Sequence, residues 1–145
     1  MYADSIPDLE EYREYYTGHV YHRAEATEHE PSDGVTLAAP TIVLIGRKTA
    51  SAAEDFLVMA DGIDHVRYMG EPTFGSTGQP LMMDLPGGGS ARISTKRDFF
   101  PDGRDFIGLG VQPDIEVRPT VEAFLSGKDE VLEKALAALL GESAE

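Results

Sequence analysis

Ser51, in the run Thr49-Ala50-Ser51-Ala52-Ala53-Glu54, is the residue whose surroundings best suit covalent chemistry. It follows the β-branched run Thr41-Ile42-Val43-Leu44-Ile45, which stops at Gly46 and reads as a buried strand. The small residues after it open an amphipathic stretch that reads as a helix. A serine at such a junction sits among unpaired backbone N–H groups at the positive end of the helix dipole. Those groups can hold an oxyanion, the setting in which a serine hydroxyl attacks a carbonyl carbon. The same residues, Ser51-Ala52-Ala53-Glu54, also spell the S-x-x-E capping box, in which serine only satisfies orphan donors. Taken alone, the motif leaves both readings open.

The remaining polar candidates are weaker. His19 and His22 match no common zinc spacing, and no partner ligand is fixed nearby, so a solvated face is expected. His29 lies in an acidic loop. His65 follows the helix that starts near Ser51; a ten-residue helix spans about 15 Å, too far for a direct hydrogen bond back to the serine. Asp102 and Asp114 sit beside Pro and Gly, which favours local turn bonding over paired-carboxylate catalysis. Gly75-Ser76-Thr77-Gly78 reads as a tight turn, with an anion nest for a peptide's terminal carboxylate as the alternative. No Gly-x(4)-Gly-Lys phosphate loop is present.

The elements that must position these residues alternate. A strand over 41–46, a helix over 52–61 and a strand over 66–69 imply a crossover with parallel pairing. Residues 80–85 and 90–95 flank Pro86-Gly87-Gly88-Gly89 and read as a hairpin. Residues 98–104, with Pro101-Asp102-Gly103, read as a second turn. Ile115 and Val117 alternate with Asp114 and Glu116 as a half-exposed strand. Val131, Leu132, Ala135, Leu136, Leu139 and Leu140 form the apolar stripe of a last helix, capped by Asp129 and ended by Gly141. Upstream, Leu9, Tyr12, Tyr16 and Val20 suggest a helix near residues 7–17, followed by a polar loop over 25–34.

Four segments in order carry a family resemblance: Thr49-Ala50-Ser51-Ala52-Ala53-Glu54; Gly70-Glu71-Pro72-Thr73-Phe74-Gly75; Gly108-Leu109-Gly110-Val111-Gln112-Pro113-Asp114-Ile115-Glu116-Val117; and Gly127-Lys128-Asp129 leading into the last helix. Together they resemble the carboxyl-terminal processing (tail-specific) serine peptidases, including the tricorn-core-like members. The resemblance implies an α/β, ClpP/crotonase-like fold, of which this chain is similar to the C-terminal part. It implies serine endopeptidase ancestry, with Ser51 at the nucleophile position, the Ala52 N–H as an oxyanion donor, and peptide or protein substrates. It implies no cofactor and no metal. The parent protein of such a chain would belong to the cell envelope or be secreted.

The chain also departs from the family pattern. The lysine that serves as base in the bacterial branch falls on Ser76, whose hydroxyl is far too weakly basic to replace it. The supporting glutamate of the tricorn-like branch falls near Ile107 and Leu109. The upstream strand that lines the other side of the oxyanion hole has no counterpart in residues 1–39. The chain is therefore expected to be part of a longer protein whose remainder supplies the base. The alternative is a noncatalytic peptide- or ligand-binding module on the same fold.

Composition sets outer limits. The 145 residues suffice for one ordinary core, divided here into an acidic lead-in over 1–36 and the family-like part over 37–145. With no cysteine, thiolate catalysis and disulfides are excluded. A net charge of −14, from 26 acidic and 12 basic residues, argues against nucleic acid and anionic membrane surfaces as partners. The apolar runs are too short for membrane insertion. An exposed edge of an incomplete sheet would predict self-association.

Overall fold

A computed structural model describes residues 38–141, together with the backbone of residues 2–5 and 22–23. The helix expected near 7–17 and the polar loop over 25–34 lie outside the described residues, as do the side chains of His19, His22 and His29.

In chain order the strands are β1 (Tyr2–Ser5), β2 (His22–Arg23), β3 (Thr41–Ile45), β4 (Val66–Gly70), β5 (Leu81–Leu85), β6 (Gly89–Ile93), β7 (Lys96–Phe99) and β8 (Ile115–Glu116). The helices are α1 (Ala52–Ala60), α2 (Val121–Ser126) and α3 (Glu130–Leu140). The strand–helix–strand reading is correct: β3 and β4 are parallel, in register from Thr41↔Val66 to Ile45↔Gly70, and β8 joins β4 in parallel. β5 and β6 form the expected hairpin, and β2-β1-β7 make a separate antiparallel sheet. The second turn is shorter than its sequence suggests. Asp98 belongs to β7, paired with Ala3, and only the Pro101-Asp102-Gly103 end turns. The short helix α2 is an addition, capped by the Thr120 hydroxyl, which accepts from the Ala123 N–H at 3.1 Å.

Alternation along the parallel sheet explains how it is covered. Val43, Ile45 and Tyr68 face α1, where they pack with Leu57, Val58, Phe100, Phe106 and Val111. Ile42, Met69 and Ile115 face the other way, onto Val131 and Ala135 of α3 and onto Val117. A parallel sheet buries both faces in this manner, and the C-terminal ends of β3 and β4 open on one edge of the layered stack. The α3 helix is capped as expected: Asp129 accepts from the Leu132 N–H at 3.0 Å, and Gly141 ends it in the left-handed region.

Tyr68 joins the layers. Its hydroxyl donates to the Leu57 carbonyl of α1 at 2.6 Å, and its N–H donates to Asp114 at 2.6 Å. Asp114 is thus no local turn residue: its carboxylate ties the Pro-Asp segment to β4. Asp102 does make the local bond, accepting from the Arg104 N–H at 3.0 Å. Burial, with Asp61 and Asp114 adding negative charge nearby, pushes the Tyr68 phenol up to about 12. Tyr68→Phe removes one buried hydrogen bond without opening a large void. It is expected to lower stability by about 1–2 kcal/mol in urea unfolding, with an unchanged denaturant slope.

Candidate active site

The chain leaves β3 through a turn in which the Gly46 N–H donates to the Thr49 hydroxyl (3.1 Å) and the Thr49 N–H to the Gly46 carbonyl (2.8 Å). It enters α1 at Ser51 with φ 58° and ψ −127°. Gln79 (φ 37°) is the other non-glycine with positive φ among the described residues. Such a backbone costs on the order of 1–3 kcal/mol and differs from the extended conformation of an ordinary N-cap. The capping box is formed in outline, with the Glu54 carboxylate accepting from the Ser51 N–H at 3.1 Å. The Glu54 N–H, however, bonds the Ser51 carbonyl oxygen at 2.7 Å, and the Ser51 hydroxyl makes no capping hydrogen bond. The Ala52 N–H has no hydrogen-bond partner among the described residues, so the first free donor of α1 lies beside the serine.

Glu54 organises the site. Its side chain is fully buried. Oε1 accepts from the Thr73 hydroxyl (2.5 Å) and the Gly75 N–H (2.6 Å). Oε2 accepts from the N–H groups of Ser76 (2.8 Å) and Ser51 (3.1 Å). Residues 75–78 form no turn, and two of the N–H groups that could nest a ligand carboxylate, those of Gly75 and Ser76, are held by Glu54. The Ser51 N–H also meets the Ser76 carbonyl at 2.8 Å. The Thr73 hydroxyl in turn accepts from the Val111 N–H at 2.7 Å. Gly75 has φ 76°, and a Cβ there would meet backbone atoms of Phe106, Gly108 and Gly110 at 2.7–2.9 Å, so no other residue fits. Two of the four motifs read from the sequence thus converge on one carboxylate, and a third is joined to it through the Thr73 hydroxyl.

Two clefts flank this knot. One, of about 460 Å³, is lined by Ala50, Ser51, Phe74, Ser76, Arg92 and Ser94, with Thr77, Gly78 and Pro80 completing its wall. The other, a more open groove of about 640 Å³, runs past Gly46–Ala50, Ala53 and Glu71. Ser76 is brought directly against Ser51, as the motif spacing requires. Among the described residues, neither His nor Lys nor a carboxylate lines the first cleft. His65 stands at the opposite end of the parallel strands, its carbonyl receiving the Thr41 N–H at 2.8 Å. Leu109 is an exposed apolar residue and Ile107 is partly buried, so the glutamate position of the tricorn-like branch carries no charge.

Behind Ser76 lies a feature with no clear signature in the sequence. The Thr77 hydroxyl sits 2.9 Å from Asp55 of α1 and 3.3 Å from Asp98 of β7, and Lys96 pairs with Asp98 at 2.9 Å. Asp98 is fully buried. Burial pushes its carboxyl above the usual range; Lys96 pulls it back, while Asp55 pushes it up again.

Two outcomes are expected from this geometry. Glu54→Gln turns one doubly accepting oxygen into a donor facing two donors, and should cost about 2–4 kcal/mol in urea unfolding. A folded state that holds Asp98 protonated at higher pH than the unfolded chain binds more protons, so this group's contribution to stability falls as pH rises through the window above about 4. Asp98→Asn should remove that fall: measured against the parent in a pH series, the variant gains relative stability as pH increases.

A model of peptidase family S41 matches residues 3–117. The chain is 35% identical over 92 residues to a chloroplastic C-terminal processing peptidase of Tetradesmus obliquus, covering 61% of this chain and 19% of that protein. It is 32% identical over 96 residues to a carboxy-terminal-processing protease of Bartonella bacilliformis, covering 64% and 21%. The chain thus spans about a fifth of the length of these curated relatives. Its structure superposes on a solved peptidase structure from Parabacteroides merdae with a TM-score of 0.67 and 31% identity, over 83% of this chain and 36% of that one. The likeness identifies the α/β architecture as ClpP/crotonase-like. With most of its length matched by the family model, this chain belongs to peptidase family S41.

Proposed function

We propose that the chain carries the nucleophile half of a serine endopeptidase of the carboxyl-terminal processing kind. The observation that supports this most directly is the backbone of Ser51, held at positive φ between strand and helix, with its side chain facing a cleft. A sharp strand-to-helix turn of this sort exposes a serine hydroxyl while keeping it beside free helix N–H groups. In this reading Ser51 Oγ attacks the scissile carbonyl carbon and gives its proton to a base supplied from outside this chain. The Ala52 N–H then donates to the oxyanion of the tetrahedral intermediate; the base returns its proton to the departing amine, and the acyl ester left on Ser51 is hydrolysed by water. A peptide lying across Ser51 would occupy both flanking clefts, which share Ala50. Substrates are peptides or proteins.

The serine at position 76 favours a second reading, a peptide-binding module that keeps the scaffold without catalysis. A fluorophosphonate probe separates the two. Labelling is expected on the longest in-frame product and absent from its Ser51→Ala variant, with little on the isolated 145-residue chain. If folded protein of both lengths stays unlabelled, the peptidase reading falls and the binding module stands.

A further inference from the structure

Among the described residues, the cleft beside Ser51 has one charged lining residue, Arg92, in a molecule whose net charge is −14. Five other basic residues are ion-paired: Arg47 with Glu71, Lys96 with Asp98, Arg97 with Asp105, Arg104 with Asp61 and Asp102, and Arg118 with Glu116. Arg92, like Lys48, Arg67, Lys128 and Lys134, makes no ion pair among the described residues. Its position is nonetheless fixed by the fold. β6 is held in register with β5, Met82 opposite Arg92. The strand's far end is tied to the Ser76–Gly78 segment, where the Gly78 carbonyl accepts from the N–H groups of Thr95 (2.8 Å) and Lys96 (3.2 Å). A Cβ on Gly78 would meet the Ser94 side chain at 2.7 Å, so the glycine lets β6 close onto the cleft. Ser94 lies just past the end of β6, and it lines the cleft together with Arg92. The two residues bring a planar guanidinium and a hydroxyl-bearing side chain to the cleft that Ser51 and Ser76 also line, with Phe74 and Pro80 as apolar wall.

A guanidinium fork with nearby hydroxyls and no competing carboxylate matches one kind of group on a peptide, a carboxylate, which it can bind through two parallel hydrogen bonds. We propose that this cleft binds a carboxylate of the peptide lying at Ser51, and that Arg92 is the residue that selects it. The inference rests on the reading of the cleft as a peptide-binding site and adds the chemistry of the group it prefers. Both an acidic side chain next to the reacting bond and a free terminal carboxylate carry that chemistry.

Binding to the 145-residue chain bearing Ser51→Ala, followed by fluorescence anisotropy, tests this without cleavage. The probes are fluorescein-labelled peptides of one neutral sequence: amidated, with a free terminal carboxylate, amidated with a single Asp walked through the positions, and amidated with a single Lys. A carboxylate-bearing peptide is expected to bind about tenfold more tightly than the amidated neutral one. The advantage should shrink with added salt. Arg92→Gln should erase it, so that carboxylate-bearing and amidated peptides bind with equal affinity, and Arg92→Lys should restore part of it through charge without the fork. Whether the terminal carboxylate or a particular Asp gains most identifies the source. Equal affinity for all peptides, an advantage that survives Arg92→Gln, or no binding by protein shown to be folded by circular dichroism would each overturn the proposal. Fluorophosphonate labelling is read separately. Labelled protein without carboxylate preference loses this inference alone, whereas preference without labelling keeps the carboxylate site and removes the peptidase reading.

Discussion

Everything around Ser51 depends on one buried carboxylate. Glu54 brings a negative charge to full burial, which is unfavourable unless every lone pair finds a donor. Here four donors from two segments some twenty residues apart supply those bonds: Ser51, Thr73, Gly75 and Ser76. Glu54 is also the third residue of α1, where the positive end of the helix dipole favours an anion. The bonds are mutually conditional. Remove one segment and the charge is stranded; remove the charge and the Gly75 and Ser76 N–H groups and the Thr73 hydroxyl face one another without their acceptor. A neutral side chain could not do this, because an amide presents donors on one of its two arms.

This knot accounts for the unfavourable backbone at Ser51. A positive φ on a β-branch-free but non-glycine residue persists only where its surroundings over-determine it. The Ser51 N–H is held by both Glu54 and the Ser76 carbonyl, and the Thr49 carbonyl one turn earlier receives the Phe74 N–H at 2.9 Å. The strand behind and the helix ahead are themselves pinned to one another in a single core cluster on one face of the sheet, through Ile45 and Leu57. Rigidity at the junction is therefore inherited from the core. The hydroxyl, which takes no part in capping, is left turned toward the cleft.

Much of the scaffold was legible because it obeys local rules. The β3–α1–β4 crossover followed from a β-branched run, small residues and an amphipathic stretch, and α3 followed from its stripe and caps. The parts that were not legible depend on partners remote in sequence. Glu54 announced itself only as a capping residue, because nothing local says that Thr73, Gly75 and Ser76 will arrive as donors. Asp98 looked like a turn residue, since Pro101-Asp102-Gly103 follows it closely; its inclusion in β7 and its burial come from pairing with β1, about 95 residues away. Asp114 misled in the same way, its proximity to Pro113 suggesting a local bond when its partner is the Tyr68 N–H. Arg92 belongs to no sequence motif and is an exposed residue of a hairpin strand. Only the anchoring of that hairpin to Gly78 brings it to Ser51.

The serine at position 76 separates scaffold from chemistry. What position 76 contributes to the knot is backbone alone: its N–H goes to Glu54 and its carbonyl to the Ser51 N–H. Any residue with an N–H supplies both, so the side chain is free to vary without disturbing the geometry of Ser51. A lysine there would reach into the cleft as a base, whereas a serine leaves the same space to the hydroxyl and to Arg92 across it. In the proposed reading, the nucleophile position is therefore built by this chain while the proton acceptor comes from outside it. Such a base can be supplied without altering the strained serine, the free Ala52 N–H or the buried glutamate that holds them.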